Sequence, residues 1–299
     1  MDRLKIVVVT YGRSDLVTRC LSSVLLSIPE KTTIHVVDNS SPDDTADVVA
    51  TRFPEVALHR RTSNDGFAAA NNAVLAEITA PYVLLLNPDT EIGPGLLDHL
   101  LDAMDEHMDV GMVGCRLVTA DGSLDHAAKR HIPSPWTAVR YFALKVVGRT
   151  GSHYTAPDVG EYDVAEVEAV NGAFMLVRAE AIREVGLLDE RFWMYAEDLD
   201  WCVRMRAAGW SIVYDGRVTA THLKGGSSGT ARPLRLNYHF HRSMVLFYLK
   251  HQRRSPLVDA CVVTGIWLRF ALSSTASALT RAFARSGGAR PRAVEPAHE

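Results

Sequence analysis

Residues 4–38 read LKIVVVTYGRSDLVTRCLSSVLLSIPEKTTIHVVD. The run 4–11 is apolar and β-branched, as a buried strand requires. Residues 13–27 (RSDLVTRCLSSVLLS) then switch to a helical spacing of apolar positions, and 33–38 (TIHVVD) return to strand. A strand, a helix and a second apolar strand in so short a length make a βαβ unit with parallel strands.

The same rhythm continues outward from this unit. SSPDDTADVVATRF carries N-cap chemistry followed by a helical pattern, 56–61 is a short strand, and 66–78 is helical. Residues 82–87 (YVLLLN) form a fourth strand and 93–107 the next helix. Apolar strands alternating with helices predict an α/β fold, a mostly parallel Rossmann-like sheet with helices on both faces. After 110–118 the rhythm breaks: residues 121–165 are irregular and rich in Pro, Gly, His and aromatics, as functional loops are. Strand and helix return over 171–186, a helix with acids at its start over 195–210, two short strands before His222, and a helix over 234–252. The expected division is a main domain over 1–233, in two halves (1–118 and 119–233), and helices with a basic tail over 234–299.

Composition bounds the function. The chain has 299 residues, 47% hydrophobic and 22% charged, enough for a sizeable core without staples. Cys20, Cys115, Cys202 and Cys261 lie far apart and read as single thiols of a reducing compartment. With no leader ahead of the first strand and no uninterrupted apolar run of spanning length, a cytoplasmic protein is expected, placed at the inner face of the plasma membrane if its tail binds lipid. Residues 250–299 hold eight Lys and Arg against three acids, so a tail of +5 follows a body of −8. A basic, partly apolar tail suits an anionic lipid surface, and a body without a basic face argues against nucleic acid. Over 256–285, Leu268, Leu272, Ala276, Leu279 and Phe283 share one helical face, with Arg269, Ser273, Ser277, Arg281 and Arg285 largely opposite. A helix packed on the domain and a helix lying on a membrane both satisfy that pattern.

Open parallel sheets bind ligands beyond the carboxyl ends of their strands. Polar groups stand at those ends: Thr10-Tyr11-Gly12-Arg13, Asp38-Asn39-Ser40-Ser41, and Asn87-Pro88-Asp89, with Asn64-Asp65-Gly66 opening the helix that holds Asn71 and Asn72. Turn and cap chemistry accounts for each singly; several facing one crevice point to a ligand. A carboxylate at Asp38 suits the N3–H of uracil or thymine, and Gly66 allows backbone to approach a phosphate at a helix N-terminus. Neither a G-x-G-x-x-G nor a P-loop is present. Glu197-Asp198-Leu199-Asp200 places three acids at a helix start beside Trp193, Tyr195 and Trp201, more than dipole compensation needs, and reads as a substrate rim able to supply a general base. His222, before the glycine-rich run 224–229, suits completion of an oxygen-ligated metal site.

Taken in order, VVVTYGR, VVDNSSPDDT, NDGFAAANNA, LLLNPDT, NGAFMLVR, GLLDERFWMYAEDLDWCVRMRAAGW and the His222 loop resemble the inverting family 2 glycosyltransferases of GT-A fold, and within them bacterial rhamnosyltransferases of cell-wall and O-antigen assembly. The resemblance covers about residues 4 to 249. It implies that Thr10, Tyr11 and Asp38 hold the nucleoside, with Gly66 and Asn72 on the nucleotide side of the crevice and Arg13, Asn64 and Asn87 completing that set. It implies that Asp89 and His222 ligate Mg²⁺ or Mn²⁺ at the diphosphate, that Asp198 is the base, and that Glu197, Asp200, Trp193 and Tyr195 shape the acceptor pocket. Asn87 departs from the two-acid D-x-D of many relatives, which predicts weak metal binding without nucleotide and real binding with it. The implied donor is dTDP-L-rhamnose, with UDP-sugars next; the implied acceptor is a glycan or polyprenyl-diphosphate-linked glycan, with peripheral membrane contact through 253–285. A non-catalytic nucleotide- or glycan-binding relative is the competing reading, opposed by the intact acidic block. A nucleotidyltransferase would need a basic phosphate clamp where only Arg13 stands.

Overall fold

The computed structural model describes residues 2–133, 155–223 and 233–286, with side chains through Ser277. The run 224–229 and residues 134–154 of the irregular 121–165 segment fall outside what is described, as do the side chains of Leu279, Arg281, Phe283 and Arg285.

The chain opens with β1 (Leu4–Thr10), α1 (Ser14–Leu25), β2 (Thr32–Asp38), α2 (Thr45–Arg52), β3 (Ala57–Arg60), α3 (Phe67–Leu75) and β4 (Tyr82–Leu86). There follow β5 (Thr90–Ile92), α4 (Leu96–Glu106), β6 (Val110–Val118), β7 (Lys129–Arg130), β8 (Val164–Glu166), β9 (Ala169–Val170) and β10 (Phe174–Arg178). The chain continues with α5 (Ala179–Val185), α6 (Glu197–Ala207), β11 (Ser211–His222), α7 (Leu234–His251) and α8 (Pro256–Ser286).

The main sheet runs β3-β2-β1-β4-β10-β6-β11-β5, with β8 paired to β11. Pairs among β1 to β4 are parallel, as is β6 with β11. β10 is antiparallel to both neighbours, β4 and β6. The sheet is thus mixed and mostly parallel, with β10 reversed in its middle. Burial is complete along β1, β4 and β10, which explains their unbroken apolar sequences. α1 and α4 each turn an apolar stripe inward, Leu16, Val17, Cys20, Leu21 and Val24 on one and Leu96, Leu97, Leu100, Leu101 and Met104 on the other. Cys20, Cys115 and Cys202 are buried and free, and burial pushes their thiols far above the usual range; Cys261 is free and exposed.

Where two short strands are expected before His222, the structure has one twelve-residue strand, β11, whose register against β6 shifts between Asp215 and Thr219. The interruption is held by Asp215, which is buried and accepts from Arg217 and His99.

This topology brings the chemistry to one edge. The carboxyl ends of β1, β2, β4, β6 and β11 point the same way, and the antiparallel β5 and β10 begin there. Thr10, Asp38, Asn87, Val118, Asn171 and His222 therefore line a single rim.

α8 lies antiparallel along α7. Tyr248 donates to Asp259 at one end (2.6 Å) and Asn237 to Ser273 and Ser274 at the other (2.9 Å each). Ile266 is buried at this contact, and Phe270 packs on Tyr238 and His241. The serine side of the helix is the packed one. Leu257 (77% exposed), Leu268 (60%) and Leu272 (71%) point away from the body. By length and composition alone, Pro256–Ser277 is the one helix among the described residues apolar enough to cross a membrane.

Candidate active site

The first two strand ends are stapled together. Asn39 N–H donates to the Thr10 carbonyl (2.9 Å), Gly12 N–H to Ser41 Oγ (2.7 Å) and Arg13 N–H to Asp43 (3.0 Å). Gly12, Arg13 and Ser40 all have positive φ, as such tight turns demand. Asp38 is 4% exposed; one oxygen accepts from Ser41 N–H (3.2 Å) and the other, also buried, has no donor. Asn39, not singled out in the sequence, likewise buries an unpartnered Oδ1 while its amide bridges Asn64 and the Gly66 carbonyl. Buried acceptors without donors are uncommon in proteins, and two side by side at a sheet edge mark a place for N–H or O–H groups of a ligand. Thr10 is buried with its hydroxyl on the Gly12 carbonyl (3.2 Å), and Tyr11 is exposed beside it. Arg13 pairs with Asp15 at 2.9 Å.

Two expectations on the nucleotide side are corrected. Asn72 is buried, and its amide protons are taken by the Leu188 carbonyl (2.8 Å) and Glu190 (3.0 Å), while its oxygen accepts from Leu188 N–H (3.1 Å). No amide proton is left for a ligand; Asn72 clamps α3 to the segment after α5. Gly66 is a glycine for a different reason than phosphate approach. A Cβ there would stand 2.1 Å from the Trp193 carbonyl oxygen, which accepts from Phe67 N–H (2.8 Å), and φ is +95°. The open side of Gly66 is filled by the chain that leads into the acidic block. Asn64 caps the same turn through Oδ1 and receives Trp193 Nε1 on its carbonyl (3.3 Å).

At the far side of the rim, Asn87 is half-buried, with its N–H on the Ala173 carbonyl (3.0 Å). Beyond it, β5 pairs with the end of β11 so that His222 stands opposite Thr90, and Leu223 N–H donates to the Asp89 carbonyl (2.8 Å). Asp89 and His222 are thereby adjacent, with His222 Nε2 3.3 Å from Asp89 Oδ1. That oxygen is buried and has no aligned hydrogen-bond donor. His222 Nδ1 contacts Asp125 Oδ2 at 2.8 Å, and Asp125 is fully buried. Burial opposes the charge on His222, but Asp125 and Asp89 outweigh it and raise its pKa to about 9. Among the described residues no group of three or more His, Cys, Asp or Glu is arranged to hold a metal. The Asp89–His222 pair fits a cation that takes its remaining oxygens from a bound ligand.

The acidic block enters the rim through a strained turn. Tyr195 (φ 71°) and Ala196 (φ 66°) are both in the left-handed region, which non-glycine residues rarely occupy. Asp198 Oδ2 accepts from Arg130 (2.6 Å) and Gly172 N–H (3.1 Å), and Oδ1 from Leu199 N–H (2.8 Å). Gly172 belongs to the Asn171-Gly172-Ala173 turn that starts β10, so the sheet itself orients Asp198. Glu197 is buried, its Oε2 has no donor, and burial followed by the Asp198 charge raises its pKa to about 8. Trp193 and Tyr195 are half-buried, Trp193 against His239 (4.2 Å) under Arg235 (4.9 Å), and Tyr195 against the Phe240 edge (5.6 Å).

Asp200 is the third correction. It is fully buried, with Arg204 on one oxygen (2.9 Å) and Lys250 and His251 on the other (2.6 Å each). With both oxygens occupied inside the protein, it ties α6 to α7. Trp201 is also core, fully buried with Nε1 on the Gly186 carbonyl (3.0 Å). Arg130 and Asp125 were missed because they sit in the irregular segment, where no periodicity tells which side chain turns inward.

A mixed, mostly parallel sheet with nucleotide-type strand ends and a carboxylate held over them defines a GT-A transferase. A model of the domain described as Glycosyl transferase family 2 matches residues 5–159. N-acetylglucosaminyl-diphospho-decaprenol L-rhamnosyltransferase of Mycobacterium tuberculosis is 30% identical over 259 residues, 82% of this chain and 84% of that protein. The chain belongs to glycosyl transferase family 2 and is a glycosyltransferase. In fold it resembles a mannosyltransferase from Pyrobaculum calidifontis solved with GDP-Man and Mn²⁺ (TM-score 0.56, 19% identity, covering 97% of this chain and 76% of that one). It also resembles GalNAc-T7 solved with UDP, GalNAc and Mn²⁺ (TM-score 0.57, 13% identity), covering 81% of this chain and spanning 48% of that one.

Proposed function

We propose that this protein transfers L-rhamnose from dTDP-L-rhamnose to a lipid-diphosphate-linked glycan, with inversion at the anomeric carbon. The observation that carries the mechanism is the fixed carboxylate of Asp198 at the same rim as the donor-free oxygen of Asp38 and the Asp89–His222 pair. Asp38 accepts the ring N3–H of the pyrimidine, an edge that thymine and uracil share, and the dTDP-rhamnose assignment follows the mycobacterial relative's rhamnosyltransferase name. That name also supports a lipid-linked acceptor.

Three donors on Asp198 leave a lone pair on Oδ1 for an acceptor hydroxyl. As that oxygen attacks, Asp198 takes its proton, and the nucleoside diphosphate departs from the opposite face. Burial and the Asp198 charge push Glu197 toward its neutral form, which limits the negative charge beside the base. A divalent cation held by Asp89 and His222 would neutralise charge growing on the leaving diphosphate. One base and one leaving group suffice, so no covalent enzyme intermediate is needed.

Asp198→Asn tests the assignment, because it keeps the shape and removes the base. Transfer measured by release of dTDP should fall ~10²- to 10⁴-fold, while dTDP affinity measured by calorimetry stays within about twofold. Near-normal turnover would remove Asp198 from the role.

The lipid-linked acceptor is supported further by α8, whose outward stripe of Leu257, Val258, Leu268 and Leu272 is unpaired with the body. Its only acid among the described residues, Asp259, is buried against Tyr248 and paired with Arg253, and Arg254 stands exposed at the start of the helix. That combination suits an anionic lipid surface and orients the protein for peripheral contact at the inner face of the membrane.

A further inference from the structure

We propose that Asp125 is the positioning residue of the diphosphate edge: its buried carboxylate fixes the His222 ring with the proton on Nδ1 and turns Nε2 to share a cation with Asp89. The inference rests on the reading of Asp89 and His222 as the cation's protein ligands. It assigns a role to a residue 97 positions away from His222 in the chain.

Asp125 Oδ2 lies 2.8 Å from His222 Nδ1, and Asn171 Nδ2 approaches the same oxygen at 3.4 Å. The other oxygen, Oδ1, accepts from Ala127 N–H at 2.9 Å, and the Asp125 backbone is itself held by Leu117 (2.8 Å) and Ala128 (2.9 Å). A carboxylate only accepts, so the ring nitrogen facing it must donate. Nε2 is then the nitrogen that meets Asp89 Oδ1 across 3.3 Å. Without a cation a proton on Nε2 holds that pair together, and a bound cation would take the proton's place between Nε2 and Asp89 Oδ1. Metal-binding histidines are held in this manner, with the remote nitrogen donating to a carboxylate.

Asp125→Asn makes the role testable because its amide is not symmetric. Its oxygen must stay on Ala127 N–H, which turns its NH₂ toward His222 Nδ1. The ring then has to accept at Nδ1 and carries its proton at Nε2, where it opposes a cation. The expected result is a loss of Mn²⁺ affinity of roughly 10- to 100-fold, read from free Mn²⁺ by electron paramagnetic resonance in the presence of dTDP, and in a second titration UDP. Nucleotide affinity without metal and the melting temperature should stay close to wild type. Unchanged Mn²⁺ affinity in a folded Asp125→Asn protein overturns the proposal and leaves Asp125 a structural staple.

A measurement on the unsubstituted full-length protein keeps the proposal falsifiable if the variant does not fold. In the Mg²⁺–dTDP complex, ¹⁵N resonances of the His222 ring, assigned by comparison with His222→Gln, should show the proton on Nδ1. A proton on Nε2 would sink the idea. If Asp89→Ala and His222→Gln leave Mn²⁺ affinity unchanged, the underlying metal reading fails and takes this inference with it. If those two variants lose affinity but Asp125→Asn does not, only the positioning role fails.

Discussion

Glu197 is the rim carboxyl whose setting is far from its solvent behaviour. Burial, then the Asp198 charge, raise its pKa from 4.5 to about 8, with Arg130 opposing. Since the folded value lies above the unfolded one, the neutral form stabilises the fold fully below about pH 4.5. That contribution is lost as pH rises through about 8. In urea unfolding, wild type should therefore lose more stability than Glu197→Gln as pH rises from 5 to 9. Parallel pH curves for the two proteins would show that Glu197 is ionised in the folded state. At this scale the sequence was legible for position: locating the strands puts Asp38, Asp89 and His222 at the rim, where the structure has them. It was not legible for Asn72 and Asp200, which carry the right chemistry but spend it inside the protein on Leu188 and Glu190 and on Arg204, Lys250 and His251.

At the scale of elements, the strained turn into α6 and the glycine that opens α3 form one joint. Gly66 and Trp193 meet so closely that neither chain can shift alone. Gly66→Ala places a methyl against the Trp193 carbonyl in a backbone region that alanine disfavours. It should cost about 2 kcal/mol or more and lower the melting temperature by several degrees in a thermal scan, with acceptor-side activity reduced as Tyr195 and Ala196 relax. An unchanged melting temperature would mean the joint is loose. The helices and the strands β1, β2, β4 and β6 were legible because their apolar periods are strong. β5 was not, since Thr90–Ile92 is three residues long, yet its pairing with β11 is what brings Asp89 to His222. β10 reads as any other apolar strand, and nothing in its residues announces that it runs antiparallel.

At the scale of the whole molecule, the acidic body and the basic, apolar C-terminal helix divide the surface. Sequence periodicity found the Leu268–Leu272 face of α8 but left open whether it turns inward. The contacts of Asn237 with Ser273 and Ser274 decide that it turns outward. Leu268→Asp/Leu272→Asp should weaken binding to vesicles containing phosphatidylglycerol at least ~10-fold, since each buried leucine contributes roughly 1.5–3 kcal/mol. Transfer to a water-soluble acceptor should persist. Equal cosedimentation of the two proteins would move membrane contact elsewhere.

The sequence by itself determined the α/β class, the run of apolar strands and helices over the first half and the polar residues at the strands' carboxyl ends, because hydrophobic period and strand-end chemistry are local and repeat along the chain. Only the tertiary structure decided which acids remain open to a ligand and which are consumed by buried partners. Asp198 meets Arg130 across 68 positions, and His222 meets Asp125 across 97. Whether a carboxylate is oriented for a substrate, neutralised by burial or spent holding two helices together depends on neighbours brought from elsewhere in the chain, and no local spacing encodes them.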